Sequence, residues 1–403
     1  MIAKTAIIIG GGIAGCSTAH GLAKRGLKVT LIERNPTIAS EASGNPLAML
    51  YPRLSGEEAS SQFALASYLH SLALYQSLKL PPADFSSCGM LQLGFTPREQ
   101  KRIQKVAALH HRTDVVRYVD SKEASTLAGI EVAHDALYFP HAGWVNPHKL
   151  CLRLTQHPNI SITTAHEVTS LTNKQGLFEV YADQHLIAAA DIAVIANAND
   201  AQRFFPHLPL HTQAVRGQVT LLKATQTSQS VKVILCSDGY LSPANYLYQS
   251  APHHCLGATF SNTSGETLEV TATDHLTNLT KLNHLSPQLH QALHTHVAAG
   301  RVSLRCSSMD YWPLAGWLLD GEALRSAPVR AGSPVESLPW VKGLYMSIAH
   351  GSKGFTSAPL CAELLATLIC NEALPMPAEI AGLMNPNRFL LRSLGLKRLA
   401  KLG

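Results

Sequence analysis

The stretch AIIIGGGIAGCSTAHGLAKRGLKVTLIER, Ala6 to Arg34, decides the fold. Its apolar start has two readings, a secretion signal or the phosphate-binding turn of a nucleotide fold. Gly10, Gly11, Gly12, Gly15 and Gly21 interrupt the run and His20 sits inside it, so it lacks the continuous apolar segment of a signal peptide. Thr5–Ile9 reads instead as a parallel strand buried on both faces. A helix follows from about Gly12 to Arg25, and a second strand, Lys28–Ile32, ends at Glu33. Gly10 permits the tight turn, Gly12 lets backbone approach a pyrophosphate, and Gly15 lets helix and strand close together. The helix N-terminus offers unpaired N–H groups and a partial positive charge to the phosphates. An acid at the end of the second strand suits the ribose hydroxyls of an adenosine. Strand, glycines, helix, strand and acid in that order predict an α/β, Rossmann-like dinucleotide-binding domain.

Composition bounds the rest. A chain of 403 residues can build two domains, and 46% hydrophobic with 15% charged residues excludes a disordered polypeptide. The eight cysteines are scattered without a Cys-x-x-Cys pair. That spacing supplies neither a zinc ligand set nor a disulfide framework, so no metal is expected and a reduced, cytoplasmic setting is. A net charge of +6 beside twenty histidines is compatible with polyanionic partners but specifies none. A membrane span needs about 20 predominantly apolar residues, and no stretch supplies one, so stable membrane insertion is not expected.

The first glycine turn suits NAD or FAD, and later segments bear on the choice. Ala39–Ser55 is dense in small residues, with turn signals at Ser43-Gly44-Asn45-Pro46. Such residues let backbone come close to a flat ring system, while Leu47–Tyr51 is too apolar for a surface loop. Near the other end, Gly343–Ile348 reads as a strand, His350–Gly354 as a tight turn and Ser357–Cys370 as a helix. The helix N-terminus there suits negative charge on a reduced flavin. Asp191–Asn197 is another buried-strand run. An NAD-dependent dehydrogenase is disfavoured by the late turn and the absence of a second nucleotide motif.

The nucleotide fold, the late glycine turn and the long middle region resemble the FAD-dependent amine and amino-acid oxidase family, which includes D-amino-acid oxidase, glycine oxidase and sarcosine oxidase. Within it, EASGNPLAMLYP, HAGWVNPHKLC, VRGQVT, LGATF, RCSSMDYWPLAG and GSKGFTSAPLCAELLA, in this order, resemble the flavin domain of bifunctional enzymes of 5-methylaminomethyl-2-thiouridine biosynthesis in tRNA. The resemblance implies FAD as cofactor and tRNA as partner. The substrate would be a wobble uridine bearing a carboxymethylaminomethyl arm. Hydride would leave the carboxymethyl carbon for the flavin, the imine would hydrolyse, and glyoxylate and the aminomethyl base would result. Dioxygen is the expected reoxidant.

A carboxylate asks for a cation, preferably a bidentate arginine. Arg305 occupies the position resembling the carboxylate-binding arginine of glycine oxidase; the plain alternative is a structural ion pair with Asp310. Lys353 and Tyr246 complete the expected catalytic set, with Tyr246 and Tyr248 on a strand pattern. Arg216 reads as a packing or hinge residue, and His253-His254 as a hairpin turn. The expected cofactor-binding residues in the first turn and strand ends are Gly10, Gly12, Ile13, Ala14, Gly15, Glu33 and Arg34. Ala42, Ser43, Asn45, Leu47 and Ala48 follow from the small-residue segment, with Val168 and Asn197 beyond it. His350, Gly351, Ser352, Lys353 and Gly354 form the late turn. Two departures from the family pattern are Arg53, where an uncharged residue is expected, and Lys353, where arginine is frequent.

The resemblance implies an interleaved D-amino-acid oxidase-like plan, α+β overall. Residues 1–82, 143–210 and 306–403 would form the FAD-binding domain, and 83–142 and 211–305 an antiparallel-sheet substrate domain. Thr271–Gly300 reads as helical, stopped by Gly300. The nucleotide motif begins close to Met1, so no methylation step is expected of this chain, and a separate methyltransferase would continue from the aminomethyl product. The tail holds Arg388, Arg392, Lys397, Arg398 and Lys401 without an acid, interleaved with leucines. A solvated basic face over docked leucines is its plainest reading, followed by phosphate contact and membrane association. Two other functions remain open: an FAD-dependent oxidase of free glycine or a similar small amine, and a non-catalytic nucleotide- or tRNA-binding protein.

Overall fold

The computed structural model describes residues 5–109, 112–262, 268–327 and 329–401. The chain divides into two compact units, one of Met1–Gly44, His148–Ala214 and Arg305–Gly403, the other of Asn45–Pro147 and Val215–Leu304. Residues 45–82 therefore group with the second unit, not with the nucleotide motif. Ala48–Leu50 lies antiparallel to Gly143–Val145, which groups with the same unit and also pairs with Phe85–Ser86.

In the first unit, among the described residues, six strands run in the order Leu314–Leu319, Trp340–Ile348, Ile192–Ile195, Thr5–Ile9, Lys28–Ile32 and Ile160–Thr163. All neighbours are parallel except the edge strand Leu314–Leu319. Thr5–Ile9 sits inside this sheet, and its Ile7 and Ile8 are wholly buried, as a strand covered on both faces should be. The helix Ile13–Lys24 packs against Gly354–Cys370. A meander of Ser170–Lys174, Leu177–Ala182 and His185–Ala190 adds Phe178, Val180 and Ala190 to a core shared with Ile7, Ile195 and Met346.

The second unit is built on a mostly antiparallel sheet that includes Met90–Leu93, Ala136–Phe139, Ile234–Cys236 and Ala251–Gly257. Its core gathers Leu91, Leu222, Leu235, Leu256, Leu282 and Leu289. The mixed α/β architecture with a Rossmann-like sheet is the one the glycine turn predicts.

Several local expectations change. Thr271–Gly300 is not one helix: Ala272–Leu285 ends at Ser286, which caps a second helix, Pro287–Leu293, by accepting the Leu289 N–H. Gly300 lies inside the strand Val297–Ser308, where pairing with Thr212–Lys223 overrides its use as a helix stop. His253 and His254 are strand residues, not a turn, and both are buried. In the tail, Leu390, Leu391, Leu396 and Leu399 are buried, but the helix covers only Arg388–Ser393. Arg388 does not face solvent; it is fully buried and ion-paired with Asp310 at 2.6 Å. No helix among the described residues is long and apolar enough to cross a membrane.

Candidate active site

The phosphate turn joins the end of Thr5–Ile9 to the helix Ile13–Lys24. Gly10 has φ +111°, and a Cβ there would meet the Ala196 carbonyl oxygen at 2.5 Å. A Cβ on Gly15 would run into the Gly10 carbonyl oxygen. The fold itself demands glycine at these two positions. Gly12 differs, since an added Cβ would meet only Ser43, with Oγ at 3.1 Å. The Gly12 backbone is thus crowded by one small side chain and not by other backbone, which suits close approach of a pyrophosphate.

The helix opens beside that space, and its first-turn N–H groups have no intrahelical acceptors. Ser43 takes one of them, accepting the Ile13 N–H at 2.9 Å. Ala14 and Gly15 lie in the same turn. Ser43 belongs to a short 3-10 turn, Ala42–Gly44.

Glu33 is buried at the end of its strand. Its Oε2 accepts the Gly11 N–H at 2.8 Å, while Oε1 accepts the Asn35 N–H at 2.8 Å and Asn35 Nδ2 at 2.7 Å. These bonds fix the carboxylate beside the glycine turn. Asn35 is an orienting residue that the sequence reading missed; an amide two positions past the acid is the only available signal. Arg34, by contrast, turns to acids, donating to Glu41 at 2.5 Å and to Asp200 at 2.8 Å.

Asn197 follows the strand Ile192–Ile195 next to Gly10, and a Cβ on Gly10 would lie 2.9 Å from its backbone nitrogen. Both polar atoms of the Asn197 side-chain amide are buried without a partner among the described residues. A buried amide without partners is costly unless a ligand supplies them. Together with the glycine turn and the oriented acid, it makes the site fit a dinucleotide. Val168 is 3% exposed and belongs to the first unit's core, with its carbonyl accepting from Arg203.

The late turn follows Trp340–Ile348. Ala349 and Gly351 have φ of +62° and +58°, and a 3-10 turn over Gly351–Lys353 leads directly into Gly354–Cys370. The helix thus starts at Gly354, earlier than Ser357. His350 is a strut: Nε2 lies 3.2 Å from Ser347 Oγ and Nδ1 3.0 Å from Ser357 Oγ, which itself donates to the Lys353 carbonyl at 3.1 Å. Burial of the ring pushes its pKa down to about 4, so the imidazole is neutral and both nitrogens are occupied. Ser352 is exposed and Lys353 half-buried.

Arg305 lies within Val297–Ser308 and is 7% exposed. Asp310 is not its ionic partner, being engaged by Arg388 and Arg392. Two residues on, and therefore on the same face of the strand, Ser307 forms a backbone bridge with His350. Its Oγ lies 3.1 Å from where a Cβ on Gly351 would stand. The first unit thus brings the strand end bearing Arg305 beside the late glycine turn.

The second unit holds Asn45, Leu47, Ala48 and Tyr246. Asn45 Oδ1 accepts from Arg301 at 2.9 Å. Arg301 is also missing from the sequence reading, although its even spacing from Arg305 along one strand is a signal. Tyr246 is half-buried in the strand Tyr246–Tyr248, and burial raises its pKa. Arg216 is buried and bound to Asp274 at 2.6 Å and to the Glu269 carbonyl at 2.8 Å. Those partners make it a packing residue.

A protein from Methylobacillus flagellatus named tRNA 5-methylaminomethyl-2-thiouridine biosynthesis bifunctional protein is 44% identical over 405 residues, covering 100% of this chain and 61% of its own length. A protein of the same name from Pseudomonas aeruginosa is 39% identical, covering 97% of this chain and 60% of its own length. The chain thus spans about three-fifths of the length of these relatives. Among solved structures, glycine oxidase from Geobacillus kaustophilus matches with TM-score 0.73 at 21% identity, covering 92% of this chain and 95% of its own. L-proline dehydrogenase from P. horikoshii matches with TM-score 0.74 at 18% identity, covering 96% and 98%. The family model described as FAD dependent oxidoreductase matches residues 5–368. From its glycine turn to its last long helix, this chain belongs to the FAD-dependent oxidoreductase family.

Proposed function

We propose that the chain oxidises the carboxymethylaminomethyl arm of a tRNA wobble uridine, 5-carboxymethylaminomethyl-(2-thio)uridine, giving the 5-aminomethyl base and glyoxylate. The observation that carries this reading is 44% identity, along the whole chain, to a protein named for that biosynthesis. The setting would be the cytoplasm, and methylation of the aminomethyl product a separate step for a methyltransferase.

FAD, when bound, supplies the electron sink for a C–H bond next to nitrogen. The chain's residues have the remaining tasks. The turn at Gly10–Gly15 with Glu33 and Ser43 would hold the dinucleotide, and Asn197 would gain the partners its amide lacks. Arg305 would hold the arm's carboxylate through charge-assisted hydrogen bonds, which fixes the methylene carbon in one orientation. Lys353 adds positive charge at the late turn. The amine must enter unprotonated. His350 is not its base, because both ring nitrogens are already engaged. Loss of two hydrogens converts the arm's NH–CH2–COO⁻ to N=CH–COO⁻. Water then adds to that carbon, and the C–N bond breaks to leave the primary amine and glyoxylate.

Purified protein incubated at limited oxygen with glycine, sarcosine, unmodified tRNA and tRNA bearing the arm tests the reading through flavin bleaching and glyoxylate release. Bleaching by the modified tRNA alone is expected; bleaching by free glycine without the tRNA reaction would reassign the enzyme to small amino acids. Arg305→Ala should lower kcat/KM by roughly 10- to 200-fold, the equivalent of about 1.5–3 kcal/mol for a hydrogen bond to a charged group. A non-catalytic binder would keep its tRNA affinity in that variant and show no turnover to lose.

A further inference from the structure

The strand bearing Arg305 ends in a turn with an unusual surface. Tyr311 is 81% exposed and Met309 65% exposed, the two largest exposures among the exposed large hydrophobics apart from Leu247. Tyr311 also sits at φ +62°, a region a bulky side chain seldom occupies. The turn is nonetheless firmly held. Ser308 Oγ donates to the Trp312 carbonyl at 2.6 Å and lies 3.1 Å from Asp310 Oδ1. The Tyr311 N–H bonds the Ser308 carbonyl at 3.2 Å, and the Met309 N–H bonds the His211 carbonyl at 3.1 Å. Buried Arg388 grips both oxygens of Asp310, at 2.9 and 2.6 Å. An aromatic ring is thus presented to solvent on a rigid base, so little ordering entropy remains to be lost on binding.

The surroundings are cationic. Arg392 reaches the same Asp310 at 3.4 Å, and Asp310 is already neutralised by Arg388. From Ile380 to Lys401 the chain has no acid, and Arg392, Lys397, Arg398 and Lys401 are exposed. Arg398 donates to the carbonyls of Ala331 and Ser333 and makes no ion pair among the described residues. An exposed ring with an exposed arginine at the same turn, followed along the chain by an acid-free basic segment, is the kind of feature with which sequence-tolerant sites bind single-stranded nucleic acid, by stacking bases and neutralising phosphates.

We propose that Tyr311, with Met309, is a stacking platform for an unpaired nucleobase next to the target uridine, and that Arg392 and the following cations take the adjoining phosphates. This rests on the tRNA reading above and adds how the substrate loop is gripped. Tyr311 lies six positions past Arg305, at most about 20 Å of extended chain, within the span of neighbouring nucleotides in one loop.

The test uses holoenzyme with a fluorescein-labelled, unmodified anticodon stem-loop RNA for affinity, and tRNA bearing the arm for turnover. Tyr311→Gly removes the ring while suiting the left-handed backbone, so its thermal midpoint should equal or exceed that of the parent. It should nevertheless weaken RNA binding and raise KM for tRNA about 5- to 150-fold, the range for loss of one stacked base, with kcat at saturation kept. Tyr311→Phe should restore affinity. Arg392→Gln should lower the slope of log affinity against log salt by roughly one. If Tyr311→Gly keeps parental affinity and KM while the parent turns over modified tRNA, the platform is wrong and the tRNA reading stands. If the parent neither binds the stem-loop nor turns over modified tRNA, both are wrong.

Discussion

At Gly12 the backbone runs at φ −76°, which any residue adopts, and an added Cβ would meet nothing but Ser43. Gly15 is the opposite case, since its Cβ would collide with the Gly10 carbonyl oxygen. The two glycines look alike in the sequence and separate only by what surrounds them. Gly12→Ala presses only on Ser43 Oγ, at 3.1 Å, so it should cost the apoprotein about 1 kcal/mol, the centre of the range for point substitutions, while flavin occupancy falls. Gly15→Ala should lose the fold together with the cofactor. Urea unfolding of apoprotein and the ratio of flavin to protein absorbance, measured on both variants, separate these outcomes. A Gly12→Ala protein with full flavin and unchanged affinity for it would mean that the pyrophosphate does not lie against Gly12.

At the scale of elements, the C-terminal segment depends on one side chain. Arg388 is wholly buried and bonds Asp310, Trp312, Pro313 and Asn385, tying Arg388–Ser393 to the turn after Val297–Ser308. Burial pushes the Asp310 pKa up, but hydrogen bonds and charge from Arg388 outweigh it and hold the carboxyl below its usual value. Arg388→Met should cost about 3 kcal/mol, the usual effect of removing one partner of a buried pair, read from the urea midpoint. A depressed carboxyl stabilises above its unfolded pKa and loses that contribution as pH falls through its folded one, so the parent's advantage over Arg388→Met should narrow below about pH 4. This clamp was hidden in the sequence, where Arg388 is one of several tail cations and Asp310 stands far away along the chain. The parallel strands and the glycine turn were readable because their signals are local: apolar runs, glycine spacing and an acid in register. The strand around Gly300 was misread because its partner, Thr212–Lys223, is remote. Of the candidate site, the nucleotide turn was legible. The oriented pair Glu33–Asn35 and the Ser307–His350 bridge needed the folded chain.

Over the whole molecule, acid should act on both units through histidines that carry no charge when folded. In the second unit, His254 is fully buried, with Nδ1 2.7 Å from the Ser242 carbonyl and Nε2 2.8 Å from Ser228 Oγ. The carbonyl places the proton on Nδ1, and burial pushes the pKa from 6.5 to about 4. In the first unit, burial does the same to His350. Below pH 6.5 the unfolded chain takes up protons that the folded one refuses, so stability falls as pH drops from about 6.5 towards 4. For His254 alone the loss is about 2 kcal/mol at pH 5, rising to about 3 kcal/mol at pH 4. This decline begins well above the range in which carboxylates such as Asp310 protonate, which distinguishes the two sources of acid sensitivity. His254→Gln keeps polar atoms near both serines but does not titrate. It should be less stable than the parent at pH 7.5 and lose less stability between pH 7 and pH 5. Urea unfolding of both proteins across that interval measures the difference directly. Equal slopes for parent and variant would show that His254 takes up its proton in the folded state, against the enclosure its surroundings describe.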